Sequence, residues 1–295
     1  MVLSALKNYP VNLSAIVTMA DDGGSSGVLR DEYGVLPPGD IRRVLVALSR
    51  SDKVLRDLFG YRFKSGSLSG HSFGNIFLST LEKTTGSFSM AVKKAHEVLD
   101  VRGAVIPVTL SKTRLFAELE NGEIIKGETN INIPKHDPRL KIKKVSLMPP
   151  VKANPDAVKA IKEADFIIIG PGDLYTSIVP NLLVEGIPET IRKSKAKKAY
   201  IVNLMTKYGE TNGFDAGDFI GVIERYLGKN VLNYFIINNK EPARELLEFY
   251  KKKDKSRFVE PVYQDQRYIF ADLLAQGKFI RHDEKKVAQL LSGLL

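Results

Sequence analysis

Three times along this 295-residue chain an aliphatic, β-branched run breaks off into glycine and hydroxylated residues, and a helix-like pattern follows. Residues 13–19 lead into "ADDGGSSG", 165–170 into "GPGDLYTS" and 199–205 into "TKYGETNG". Strands that hand over to helices through small-residue turns build a mostly parallel sheet covered on both faces. The rest of the chain keeps the same rhythm. Asp40 is placed to cap a helix carrying Ile41, Val44, Leu45 and Leu48 on one face, and further helices are expected from Phe73 and over 88–99. Asn154-Pro155 opens another, followed by helices near 182–193, 215–227, from Pro242 and after Asp283, with a strand at 231–238. Only 104–148 departs from this. Its short alternating segments and the Asn121-Gly122 turn predict antiparallel strands with at least one hairpin. The expected fold class is α/β, a doubly wound, mostly parallel sheet with an antiparallel β segment.

Composition narrows the function classes. No apolar run approaches the ~18 residues of a membrane span, and the first residues lack the pattern of a secretion signal. There is no cysteine, hence no disulfide framework and no thiolate metal site. A cytoplasmic protein is expected. The net charge of +10 invites a nucleic-acid reading, but the lysines are scattered (141–144, 193–198, 251–255), tryptophan is absent, and no aromatics interleave with them. We therefore expect a solvated basic surface, whose field would suit an anionic small molecule, and no nucleic-acid partner.

In a doubly wound sheet, ligands bind beyond the carboxyl ends of the strands. All three glycine-rich stretches fall there and are expected to converge on one cleft. Glycine lets backbone approach a ligand, and N–H groups at a helix N-terminus attract a phosphate. Asp21 and Asp22 have the chemistry to hold a magnesium ion bridging to a diphosphate, or to hydrogen-bond a sugar hydroxyl; capping the following turn is the plain alternative. Arg30, Arg42 and Arg43 are candidate phosphate clamps, although adjacent helix positions diverge, so one of Arg42 and Arg43 should be solvated. His71, flanked by glycine and followed by Asn75, is a ligand candidate, whereas His282 beside a helix cap reads as structural. Gly66-Ser67-Leu68-Ser69-Gly70 is not a nucleophile elbow, because leucine holds the central position. Neither a P-loop nor a His-Glu-x-x-His zinc motif is present.

Together, "TMADDGGSSGVLRDEYGVLPPGDIRRVLVAL", "GHSFGNIFLSTL", "GPGDLYTSIVPNLLVEGI" and "NLMTKYGETNGF" resemble the gluconeogenesis-factor (YvcK) family across nearly the whole chain. That family is related to 2-phospho-L-lactate transferase, an enzyme of deazaflavin coenzyme synthesis. The resemblance implies one CofD-like, Rossmann-like domain over 1–295, with a helical insertion at about 40–100 and the β-rich segment at about 104–148. It implies a cytoplasmic factor for growth on gluconeogenic carbon sources and for cell-wall morphogenesis and cell shape, binding UDP-N-acetylglucosamine or a similar nucleotide diphosphate. The alternative it carries is a magnesium-dependent transferase using a nucleotide diphosphate-linked donor. The ligand-contacting positions it implies are Asp21, Asp22, Gly23, Gly24, Ser25, Ser26, His71, Asn75, Gly172, Thr176, Asn203 and Thr206. Arg42 joins them from the reading of the loops, as do Asp21 and Asp22 as candidates for metal binding and catalysis.

Members of that family begin with a strand and a "GGGTG" turn, whereas "MVLSALK" resembles the tail of the helix that follows them. The expectation is that strand 13–19 is paired on one side only. A slot beside 165–170, or an exposed edge, would then be open to water, another segment or another protomer in a homo-oligomer. Residues 1–8 should form at most a frayed helical stub, and the native protein should carry an upstream strand and glycine loop.

Overall fold

Two parallel sheets and a small antiparallel one organise the chain, seen in a computed structural model that describes residues 1–295. Helix α1 (Val2–Leu6) precedes β1 (Ser14–Val17). Contrary to the expected frayed stub, α1 is docked: Ala5 and Leu6 are buried in one cluster with Ile201, Val287 and Leu291. Five helices follow, α2 (Gly24–Tyr33), α3 (Gly39–Leu48), α4 (Lys53–Gly60), α5 (Phe73–Thr85) and α6 (Phe88–Val98). On α3, Ile41, Leu45 and Leu48 fall on one face and are wholly buried, which is what docks it against the first sheet. Asp40 lies in the first turn of α3 rather than at its cap, which is Pro38. Ser72 and Ser87 cap α5 and α6 by accepting from the amides of Asn75 and Met90.

Strand β2 (Ala104–Pro107) pairs with β1 in parallel, Ser14 opposite Ala104. This corrects the expectation that all of 104–148 is antiparallel. The first apolar run belongs to the parallel system, and only β3 (Arg114–Leu119), β4 (Ile124–Lys126) and β5 (Ile142–Met148) form the antiparallel sheet, in the order β4-β3-β5. A one-turn helix, α7 (Glu128–Asn132), projects between β4 and β5.

The second half alternates as expected: α8 (Pro155–Glu163), β6 (Phe166–Ile169), a π-helical turn (Leu174–Ile178), α9 (Val179–Leu182), α10 (Ile187–Lys193) and β7 (Lys197–Ile201). It ends with α11 (Ala216–Leu227), β8 (Tyr234–Asn238), α12 (Arg244–Asp254), β9 (Tyr268–Ala271) and α13 (Glu284–Ser292). Strands β6-β7-β8-β9 make a four-stranded parallel sheet in that order. Asn154, Asp215 and Asp283 cap their helices through side-chain hydrogen bonds, and Asp215 forms a reciprocal capping box with Asp218.

The expected single sheet is thus two parallel ladders. β1 hydrogen-bonds to β2 and to no other strand, and β6 is likewise an edge strand whose Phe166, Ile167 and Ile168 are only half-buried. The main core nevertheless runs through both halves, from Val17 and Leu45 through Leu115 and Val145 to Tyr200 and Phe235.

Candidate functional site

The first glycine-rich stretch is a helix start rather than a free loop. Helix α2 opens at Gly24 with Gly23 as its cap, so Ser25 and Ser26 sit in its first turn and are buried. Glycine is demanded at 27, because a Cβ there would lie 2.2 Å from the carbonyl oxygen of Asp22. Gly39 is equally constrained, since a Cβ would come within 2.4 Å of both Asp21 Oδ2 and Ser26 Oγ. The start of α2 and the start of α3 are therefore pressed together around Asp21.

Hydrogen bonds extend this contact to α5. The Ser25 hydroxyl meets His71 Nδ1 at 3.2 Å, and the Asn75 amide donates to Ser26 Oγ at 3.4 Å. Asn75 Oδ1 in turn accepts from Arg42 Nε at 2.9 Å, while Arg42 Nη1 donates to the Phe59 carbonyl. Gly74 permits that approach, because a Cβ there would meet Arg42 Cδ at 2.7 Å. Arg42 is held and partly buried, whereas Arg43 is largely exposed and pairs with Asp40; this is the split expected of adjacent arginines. Arg30 is buried and pairs with Asp31 instead.

Asp21 accepts from the Gly23 amide at 3.0 Å, the turn-capping role. Asp22 reaches further, accepting from the Thr129 amide on α7 at 2.8 Å. Each carboxylate keeps its second oxygen clear of any protein hydrogen bond. No three acidic or imidazole side chains converge closely enough to hold a metal ion by themselves. Two carboxylates with free oxygens fit magnesium only as it is usually held, by one or two carboxylates together with water and a ligand's phosphates.

Helix α7, which the sequence did not reveal, joins this cluster to the second half. Lys207 donates to Asn132 on α7, to Asp173 at 2.6 Å and to Glu210 at 2.7 Å. The other two glycine-rich stretches also meet directly. Asn203 Nδ2 donates to the Gly172 carbonyl at 2.9 Å, and Thr176 Oγ1 reaches Glu210 at 3.5 Å. Thr176 is buried, and the Thr206 hydroxyl is committed to the Arg257 amide. The candidates therefore form two groups. Asp21, Asp22, Ser25, Ser26, Arg42, His71 and Asn75 lie around the starts of α2, α3 and α5; Gly172, Thr176, Asn203 and Thr206 lie at the ends of β6 and β7. Gly23 touches α7, where its Cβ would be 3.0 Å from Thr129 Oγ1, and Gly24 has open space on its side-chain face.

Electrostatics single out residues that the sequence did not offer as site candidates. Glu128 on α7 is pushed up to about 8, first by burial and then by the charges of Asp21, Asp22 and Asp40, against a pull from Lys207. Burial, with Lys207 opposing it, raises Glu210 to about 7. Burial also raises Asp40 above the ordinary carboxylate range, although Arg43 pulls it back. For Lys207, burial works against the ammonium, but Glu210 and Asp173 outweigh it and keep it charged. Asp21, Asp22, Asp40, Glu128, Asp173 and Glu210 are thus the six carboxylates of the region, against the cations Arg42, Arg43 and Lys207. Perturbed carboxylates gathered at loop ends make this cluster a functional-site candidate. A cavity of about 610 Å³ opens between α1, α3 and α4, lined by Lys7, Arg56 and Tyr61 among others, but no candidate site residue lines it.

Against known proteins, residues 1–274 match the family described as 2-phospho-L-lactate transferase CofD. A Bacillus subtilis protein named Gluconeogenesis factor is 43% identical over 99% of this chain and 93% of its own length. A Nostoc relative is 46% identical over 98% of this chain, which spans 64% of that relative's length. The crystal structure of a UPF0052-family protein from Bacillus halodurans superposes with a TM-score of 0.92 at 39% identity, covering 99% of this chain and 94% of that one.

Proposed function

We propose, from the premise that this chain belongs to the CofD family and is similar throughout to the gluconeogenesis factors, that it binds a nucleotide diphosphate sugar of the UDP-N-acetylglucosamine kind as a regulatory factor. In this reading it supports growth on gluconeogenic carbon sources and links it to cell-wall morphogenesis and cell shape, acting in the cytoplasm. The observation that carries the reading is the junction at α7, where Asp22 and Lys207 reach one short helix from opposite halves of the molecule. Ser25, Ser26, Arg42, His71 and Asn75 supply hydroxyl, amide, imidazole and guanidinium groups for a sugar diphosphate on one side. Gly172, Thr176, Asn203 and Thr206 shape the other. A diphosphate entering this acidic cluster needs a counter-charge; Asp21 and Asp22 are the residues that would hold a magnesium ion, which would supply it.

The transferase reading is kept alive by Glu128 at about 8 and Glu210 at about 7, since groups that titrate near neutrality serve proton transfer. Isothermal titration with UDP-N-acetylglucosamine, UDP and GDP, each with and without magnesium, tests the binding. The expected result is a saturable, magnesium-strengthened interaction with the sugar nucleotide at one site per chain. Heats indistinguishable from dilution with all three would refute the proposal. Release of free nucleotide from the donor during incubation would favour the transferase.

A further inference from the structure

Lys207 is oddly provided for. Its ammonium touches Asp173, Glu210 and Asn132, two carboxylates and an amide from three separate elements, while about a quarter of the side chain stays in solvent. A lysine serving only to staple the chain needs one carboxylate. A second, buried one adds a desolvation cost that the ion pair does not recover by itself. Glu210 carries that cost: its side chain is fully buried, and its Oε2 has no hydrogen-bond partner. Asp173, by contrast, is 44% exposed and free to swing away. The arrangement is a cation held on its buried side by one fixed carboxylate and covered on its open side by a removable one. Asp173 is also the cap residue of the π-helical turn Leu174–Ile178, a local geometry that is frequent at functional sites.

We propose that Lys207 receives the anionic end of the ligand, replacing Asp173, and that Glu210 is a positioning residue that takes a proton from solvent as the anion arrives. This rests on the nucleotide-binding reading above and adds the group that grips the ligand from the second half of the molecule. The charge balance requires the proton. With Asp173 and Glu210 both ionised around one ammonium, an incoming phosphate would meet a cluster that is already net negative. The charged and titratable groups facing the pair are Asp173 and Tyr175 from the π turn and Glu128 from α7; Thr176 and Asn132 face it as neutral partners. Tyr175 is raised far out of the working range by burial, so Glu210 and Glu128 are the groups that can change charge near neutrality.

The test measures UDP-N-acetylglucosamine affinity between pH 6 and 8.5 for the wild type, Lys207→Met, Lys207→Arg and Glu210→Gln, with thermal unfolding as the folding control. That ligand's diphosphate does not titrate in this range. We expect Lys207→Met to weaken binding at least about tenfold, the loss of one charge-assisted contact, and Lys207→Arg to recover part of it. Wild-type affinity should fall several-fold as pH rises through 7, while Glu210→Gln should lose the fall centred near 7 and keep only the shallower one near 8 that Glu128 contributes. A folded Lys207→Met that binds within twofold of wild type overturns the inference. So does a Glu210→Gln variant that keeps the wild-type pH profile, and this result decides the matter if Lys207→Met does not fold. Wild-type protein that binds none of UDP-N-acetylglucosamine, GDP or pyrophosphate overturns the nucleotide reading itself, and this inference with it.

Discussion

Replacing Glu128 by glutamine should make the protein more stable at alkaline pH and leave it unchanged in acid. The carboxyl of Glu128 is raised from an ordinary 4.5 to about 8 by burial and by the neighbouring charges of Asp21, Asp22 and Asp40. A carboxyl that holds its proton more tightly in the folded than in the unfolded state favours folding fully below about pH 4.5. That advantage is lost as pH rises through the folded value near 8. Carried through without screening, the difference corresponds to about 5 kcal/mol. Glu128 is only partly buried, so solvent screening reduces this to roughly 1–2 kcal/mol. For a chain of this size that is about 2–4 °C in Tm. The assay is thermal unfolding of wild type and Glu128→Gln from pH 5 to 9. Glu210 and the other titrating groups are common to both and cancel in the difference. The glutamine variant should be the more stable by a margin that is small at pH 5, grows as pH rises, and levels off above the folded value near 8. A constant offset at all pH values, or a glutamine variant less stable at pH 8.5, would show that the acidic cluster does not repel Glu128 as described.

Asp21→Asn and Asp22→Asn should separate a binder from a catalyst. Loss of magnesium-dependent turnover by orders of magnitude marks the second, and a drop of roughly 1–3 kcal/mol in affinity without turnover marks the first. Ligand titration at full wild-type strength in both variants would remove the pair from the site. Gly39→Ala should abolish ligand binding while preserving the far-UV circular dichroism spectrum, because its Cβ would drive Asp21 and Ser26 apart from 2.4 Å contacts. Unimpaired binding would mean that these two side chains do not shape the site. Leu45→Ala, at a wholly buried position on α3, should cost about 2–5 kcal/mol in chemical denaturation; a loss under 1 kcal/mol would place the core elsewhere.

Many of the elements that the sequence discloses carry side-chain signals at their ends, although α3 and α12 are legible without one and α4 is not legible despite its Asp52 cap. Ser72, Ser87, Asn154, Asp215 and Asp283 all cap helices as their types require, and the aliphatic runs at β6 and β8 are strands. Helix α2 stayed hidden because its cap is Gly23, which offers no side chain, and "DDGGSSG" reads equally well as a turn. Helix α7 is a single turn entered through Gly127 at φ 95°, and five residues of "ETNIN" carry no periodicity. Strand β9 is four residues long and is fixed by pairing with β8, a long-range contact that no local pattern records. The site shows the same division. Ser25, His71 and Asn75 each follow a glycine and could be picked out; Glu128 and Glu210 follow Gly127 and Gly209 in the same way, and Lys207 lies in the third glycine-rich stretch, but nothing local distinguishes these charged side chains from solvated ones. Only the fold shows that Lys207 crosses to α7 and that Glu210 is buried under it.

The central claim is that the starts of α2, α3 and α5 and the ends of β6 and β7 serve one ligand across α7. A crystal structure of the protein grown with UDP-N-acetylglucosamine and manganese in place of magnesium tests it most directly. The account predicts one sugar nucleotide per chain whose diphosphate lies between the Ser25, Arg42 and His71 group and Lys207, with anomalous scattering from manganese beside Asp21 and Asp22. Nucleotide bound elsewhere, such as in the cavity lined by Lys7, Arg56 and Tyr61, with these residues untouched, would contradict it.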